Sequence, residues 1–180
     1  MTATTQDTQK YTIDNAHSSA EFTVRHMVIA KVRGRFGTLT GTIEIPAGGD
    51  VPSAVAVEID ATSIDTREEQ RDGHLKSADF LETDKYPTIA FVSTGTKGEG
   101  PEFTLSGLLT IHGVTHPVDI EAEYEGRGKD PWGNERIGFS GHLTINRKDY
   151  GLGWNQALET GGVLVGEEVK IELTVEAIKG

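Results

Sequence analysis

Residues 102–124, EFTLSGLLTIHGVTHPVDIEAEY, decide the fold. Phe103, Leu105, Leu109 and Ile111 fall on alternate positions, and after HGVTHP so do Val118, Ile120, Ala122 and Tyr124. Their partners are mostly Thr, Ser, Asp and Glu. A period of two gives each segment one apolar and one wet face, the pattern of a half-buried antiparallel strand. Two such segments across a glycine-bearing turn form a hairpin.

The pattern recurs outward from this hairpin. Val55, Val57 and Ile59 follow it, as do Ile137, Phe139, Leu143 and Ile145, and Val169, Ile171, Leu173 and Val175. Tyr11–Asn15 and Ala20–His26 also read as strands. Val32–Ile45 changes phase, because Phe36 is even-numbered while Leu39, Ile43 and Ile45 are odd, so a bulge or bend is expected near Gly37. About eight to ten strands result. So many half-buried strands must close on themselves or pack as two sheets around an apolar interior.

One segment breaks the pattern. Thr66 with Glu69 three residues later reads as a capping box for a short helix, and Ser77 as the cap of a second one carrying Phe80 and Leu81. Tyr86-Pro87 ends the excursion. Residues 1–10 read as a flexible polar tail and 11–180 as one domain.

The chain has 180 residues, no cysteine and a formal net charge of −11. Thiol chemistry and disulfides are excluded. The negative balance argues against nucleic acid and against adhesion to anionic lipid headgroups. No run approaches the roughly 18 apolar residues of a membrane helix. The first ten residues lack the apolar core of a secretory leader, so the cytoplasm is the expected address. An outer-membrane barrel would need an aromatic girdle, and only 7% of the chain is aromatic.

Six runs occur in an order that resembles the YceI-like proteins: IDNAHSSAEFTVRHM, GRFGTLTG, SIDTREEQRDGHLKSADFLETDKYPTIAF, LSGLLTIHGVTHPV, DPWGNERIGF and NRKDYGL. The resemblance implies an all-β, extended, lipocalin-like antiparallel barrel of about eight strands with a short helical insert. It also implies an apolar tunnel for polyisoprenoid chains, isoprenoid quinones or other long amphiphiles such as fatty amides. Many members of that family carry a leader and work in the periplasm.

An eight-stranded barrel can be filled by side chains or hold one slender ligand. Small inward residues (Ala20, Gly41, Gly107, Ala122, Gly141) leave room for a guest, although glycine in a barrel strand also marks a bend. Phe22, Val24, Phe36, Ile43, Val57, Phe91, Leu109, Phe139 and Leu143 are the apolar residues expected inside, each as core or as ligand contact. Leu75 and Phe80 of the insert are expected against the barrel wall or mouth. Tyr150 and Trp154, each a large ring with a polar tip, suit a tunnel entrance. Trp132 reads as a turn anchor. His26, on the face of Phe22 and Val24, is either a hydrogen-bonded core histidine or a contact for a ligand head.

His112 and His116 are four apart, as in helical zinc motifs, but HGVTHP reads as a hairpin turn without the helix that would bring both to one face, so no metal site is expected there. His17 is expected to be held by Asp14, and Arg71, Asp72 and His74 to form an ion-paired cluster that fixes the helix. No nucleophile elbow, phosphate loop or dinucleotide fingerprint occurs. No catalytic residue and no cofactor is therefore assigned. A phosphate head would need cations, for which Arg25, Arg33, Arg35, Arg136 and Arg147 are available. The leading expectation is a carrier, store or sequestering protein for an isoprenoid-type lipid or quinone, possible as a homodimer. The competing readings are a stress-response or interaction module with a filled barrel, and an enzyme acting on a bound lipid.

Overall fold

In this computed structural model, which describes residues 7–158 and 163–180, eleven strands form one antiparallel sheet. They are β1 (Thr8–Ile13), β2 (Ser19–His26), β3 (Ala30–Phe36), β4 (Leu39–Pro46), β5 (Ala54–Asp60), β6 (Ile64–Asp65), β7 (Thr88–Lys97), β8 (Glu102–Ile111), β9 (Val114–Lys129), β10 (Glu135–Asn146) and β11 (Val165–Lys179). The helix α1 (Glu69–Lys76) lies between β6 and β7.

The eleven strands make a closed barrel of eight staves. Three staves are composite. β1 pairs with β4 while β2 pairs with β3, and β4 pairs with β5 while β3 pairs with β6. β11 runs along both halves of the first composite stave: Leu173 lies opposite Ala20, and Ala177 opposite Ile13. The barrel closes there, between the first strand and the last.

The three breaks lie at one level and are bonded to each other. Asn15 Oδ1 accepts from the Leu39 amide at 2.7 Å, the Gly37 amide donates to Ser63 O at 3.2 Å, and the Asp60 amide donates to Thr38 O at 3.0 Å. The phase change near Gly37 is thus a two-residue bend between β3 and β4. Backbone groups freed by each break find partners in the neighbouring break, as buried polar groups must.

Other expectations are corrected. Thr8–Lys10, expected in the tail, open β1 and pair with Pro46 to Glu44 of β4; residues 1–6 lie outside the described residues. The cap of α1 is Glu68, whose carboxylate accepts from the Gln70 and Arg71 amides. Thr66 is instead buried and bonded to Asp72 Oδ1. Ser77 caps no second helix: it ends α1, its hydroxyl donating to His74 O at 2.6 Å, and Phe80 and Leu81 lie in turns. β9 runs on to Lys129 before the turn that carries Trp132.

The turn between β8 and β9 is only His112-Gly113, both with positive φ (55° and 72°). That is the left-handed pair a tight antiparallel turn prefers. β9 and β10 pair from Lys129↔Glu135 to Glu121↔His142 and then part. A 3₁₀ turn, Arg147–Tyr150, packs into the seam that opens.

Candidate functional site

The barrel is filled at one end and hollow at the other. At the closed end Tyr11, Ile45, Ile137 and Leu39 are buried to within 1% exposure, and Phe103 meets Phe139 edge to face at 5.9 Å. Above the level of the breaks lies a cavity of about 460 Å³. Its walls come from β2, β3, β5–β11, α1 and the segments at 80–81, 147–154 and 164–165. The volume is about three times that of a ~150 Å³ apolar cavity that stays dry and takes up benzene. It falls within the range of about 300–1,000 Å³ typical of small-molecule sites.

Ten of the residues singled out from sequence border this cavity: Phe22, Val24, His26, Phe36, Leu75, Phe80, Phe91, Leu109, Leu143 and Trp154. Four do not. Ile43 lies opposite Tyr11 in the filled end, and Phe139 packs there against Phe103 and Tyr124. Val57 of β5 is half-buried, opposite Gly41 and Phe91. Tyr150, expected at an entrance, is 1% exposed and wedged into the β9–β10 seam, its ring 5.2 Å from that of His116. Burial pushes its phenol pKa up, and neighbouring Asp149 adds to the effect. Its hydroxyl has no hydrogen-bond partner among the described residues.

The inward glycines serve the protein's own side chains. A Cβ on Gly107 would stand 2.4 Å from the Phe91 ring, and one on Gly34 would stand 2.3 Å from that of Phe22. These two phenylalanines lie flat over glycine and so stay close to the wall. Gly41 approaches the β5 backbone, where a Cβ would meet Ala56 O at 2.2 Å.

At the mouth, His74 of α1 meets Trp154 edge to face at 4.7 Å and Phe80 at 5.1 Å, and Phe80 lies 5.3 Å from Trp154. Asp79 Oδ2 fixes His74 Nε2 at 2.8 Å. Arg71 Nε and Nη2 donate to Thr66 Oγ1 and O, each at 2.7 Å, which ties α1 to the end of β6. The insert is thereby stapled beside the opening.

Sequence reasoning grouped Arg147 with four other cations and missed its role. It is 3% exposed and borders the cavity. Its guanidinium donates to the carbonyls of Gly166 (2.8 Å), Leu152, Trp154 (2.9 Å) and Val165 (3.2 Å). Burial pushes its pKa down, and Glu167 pulls it back up. Only the fork geometry of arginine satisfies four carbonyls at once. Arg136 lies at the opposite, filled end, bonded to Asp14, Asp130 and Glu176.

His17, His74, His112 and His116 are committed to structure. His112 Nδ1 donates to Tyr150 O at 3.1 Å and His116 Nε2 to Asp149 O at 2.7 Å, so this pair clamps the 3₁₀ turn. His17 Nδ1 meets Asp14 Oδ2 at 2.8 Å. Asp14, His17 and Glu176 are close enough for a cation, but the Arg136 guanidinium already bonds both carboxylates. Trp132 is 81% exposed at a turn whose amides are held by Asp130. Among the described residues no helix is long and apolar enough to cross a membrane.

Comparison with known proteins places this arrangement. The chain is 40% identical over 171 residues to UPF0312 protein SAS2572 of Staphylococcus aureus (strain MSSA476), covering 92% of this chain and 95% of the relative. Its fold superposes on the Campylobacter jejuni YCEI protein with a TM-score of 0.74 at 28% identity, covering 87% and 90% of the two chains. BcnA of Burkholderia cenocepacia gives a TM-score of 0.77 at 21% identity, covering 91% and 98%. A polyisoprenoid binding domain from Saccharophagus degradans gives 0.70 at 18%, covering 94% and 98%. The YceI-like domain model matches residues 11–177, and the chain belongs to that family.

Proposed function

We propose that this protein takes one long apolar chain, of the isoprenoid-lipid or quinone class, into the hollow half of its barrel, for carriage, storage or sequestration. The observation that supports this most is the cavity of about 460 Å³ walled mainly by aliphatic and aromatic side chains. Each buried methylene-sized unit gains about 0.8 kcal/mol. Ten such units offset a large part of the association cost, which is about 4–15 kcal/mol. Selectivity rests on length and slenderness more than on polar contacts. The likeness to a fold whose Saccharophagus degradans representative is a polyisoprenoid binding domain supports the same class of guest.

The test is native mass spectrometry of gently purified protein, followed by organic extraction and identification of the released molecule. A delipidated sample should take up an isoprenoid quinone or a polyprenyl alcohol with one-to-one stoichiometry. A sample that carries no lipid and binds neither of these nor a fatty amide overturns the reading.

A further inference from the structure

The turn between β2 and β3 is made of Met27, Val28 and Ile29, which are 44%, 56% and 89% exposed. Met27 and Val28 hold φ of 55° and 66°. Left-handed backbone favours Gly and Asn and is strained for a β-branched residue such as Val28. The turn therefore carries three large apolar side chains in water where Asn-Gly would sit relaxed.

The same hairpin carries a second local cost. Arg25 stands directly opposite Lys31, and Arg33 follows on the same outward face. Like charges at opposed positions repel. Among the described residues none of these three takes part in an ion pair, in a chain whose net charge is −11. Lys170 of β11 lies beside them, opposite Thr23. The acidic groups beside the hairpin are Glu167, paired to Lys148, and Glu168, both at the β11 register shift between Val165 (opposite His26) and Val169 (opposite Val24). Further from the tip stand Glu21 opposite Arg35, Glu172 opposite Glu21, and Asp65 opposite Arg35.

The position of this hairpin joins it to the cavity. Its inward residues Val24, His26 and Val32 border the cavity, as does the exposed Arg25, and the Met27 amide donates to Leu164 O at 2.8 Å, beside the mouth. An apolar tip, a cationic face behind it and an opening beside it match one partner chemistry, an anionic lipid bilayer. We infer that the 25–33 hairpin seats the barrel mouth on an anionic membrane surface, with Met27, Val28 and Ile29 entering the headgroup layer and Arg25, Lys31 and Arg33 facing lipid phosphates. The overall negative charge does not prevent this, since charges more than about 8 Å away are screened at physiological salt. The inference is independent of which guest the cavity holds.

The test is vesicle flotation of the full chain with phosphatidylcholine alone and with a phosphatidylcholine–phosphatidylglycerol mixture. The protein should float with the anionic vesicles only, and about 1 M salt should weaken this. Met27→Asn with Val28→Gly and Ile29→Ser should lower partitioning at least about tenfold while melting no earlier than the parent, because the new turn is relaxed. Arg25→Gln with Lys31→Gln and Arg33→Gln should do the same. No flotation of the parent, or equal flotation of parent and both variants, overturns the inference. So does a parent that stays off vesicles and self-associates in sedimentation equilibrium until the turn is replaced, since the patch would then be a contact between copies.

Discussion

Arg147 Nη1 donates to the carbonyl oxygen of Trp154 at 2.9 Å, so the tryptophan at the cavity mouth is positioned by a buried cation on the cavity wall. Replacing Arg147 by Met removes the guanidinium donor from the carbonyls of Leu152, Trp154 and Gly166, while Val165 O keeps its bond from Asn155 Nδ2. We expect a loss of about 3 kcal/mol in urea unfolding, and a red-shifted Trp154 emission measured in a Trp132→Phe background. Arg147→Lys should recover less than half of that loss, since one ammonium cannot reach four diverging carbonyls.

The filled and hollow ends respond oppositely to added bulk. Val24→Phe places its ring in the cavity, so stability should hold while uptake of an isoprenoid quinone falls at least about tenfold. Ile45→Phe, at a site 1% exposed, should cost about 1–3 kcal/mol and leave uptake by the folded fraction unchanged. Thermal melts paired with quinone titrations separate the two outcomes.

Stability should fall in acid through the Arg136 network. The guanidinium of Arg136, then His17 and the Ala16 amide, outweigh desolvation and hold the Asp14 carboxyl down from 3.8 to about 2. Burial pushes Asp130 up, but bonds from Arg136, Asn134 and the Trp132 amide hold it down to about 2. Because both folded-state values lie below the unfolded ones, their contribution is complete above about pH 4 and is lost as pH falls toward 2. Melting temperature should drop across that window, and Arg136→Met should flatten the dependence there.

Two glycines separate a close approach from an ordinary helix cost. Gly107→Ala forces its methyl to 2.4 Å from Phe91 and 2.6 Å from Val92 O, and should cost about 1–3 kcal/mol while pushing the Phe91 ring into the cavity. Gly73→Ala in α1 meets nothing within 4 Å and should stabilise by about 0.5–1 kcal/mol. Denaturant unfolding gives both values.

The strands were legible because period-two alternation is imposed by burial of one face, and that constraint acts residue by residue. The division into a packed and an open half was not. Ile43 and Leu143 both sit on inward faces with the same alternation, yet one lies against Tyr11 and the other borders the cavity. Which stave level stays hollow depends on the shared break at Asn15, Gly37 and Ser63, a three-way contact between distant segments. Tyr150 misled because a 3₁₀ turn folds it inward under His112 and His116, and a loop sequence carries no periodicity to show this. The capping box at Thr66 failed because Asp72 competes for the threonine hydroxyl while Glu68 takes the amides. The basic hairpin was hidden by the overall charge, which averages over the surface that pairing register sorts.

The ring of staves closes between Tyr11 and Lys179, and the Gly180 amide donates to Lys10 O at 2.9 Å. During synthesis on the ribosome, β1 therefore waits for its second neighbour until β11 has left the exit tunnel. Throughout that interval the nascent chain exposes two raw sheet margins and an uncovered greasy trough. This protein should consequently lean on holdase chaperones early in its life, and a rearranged gene that fuses β11 directly ahead of β1 should shorten that dependence.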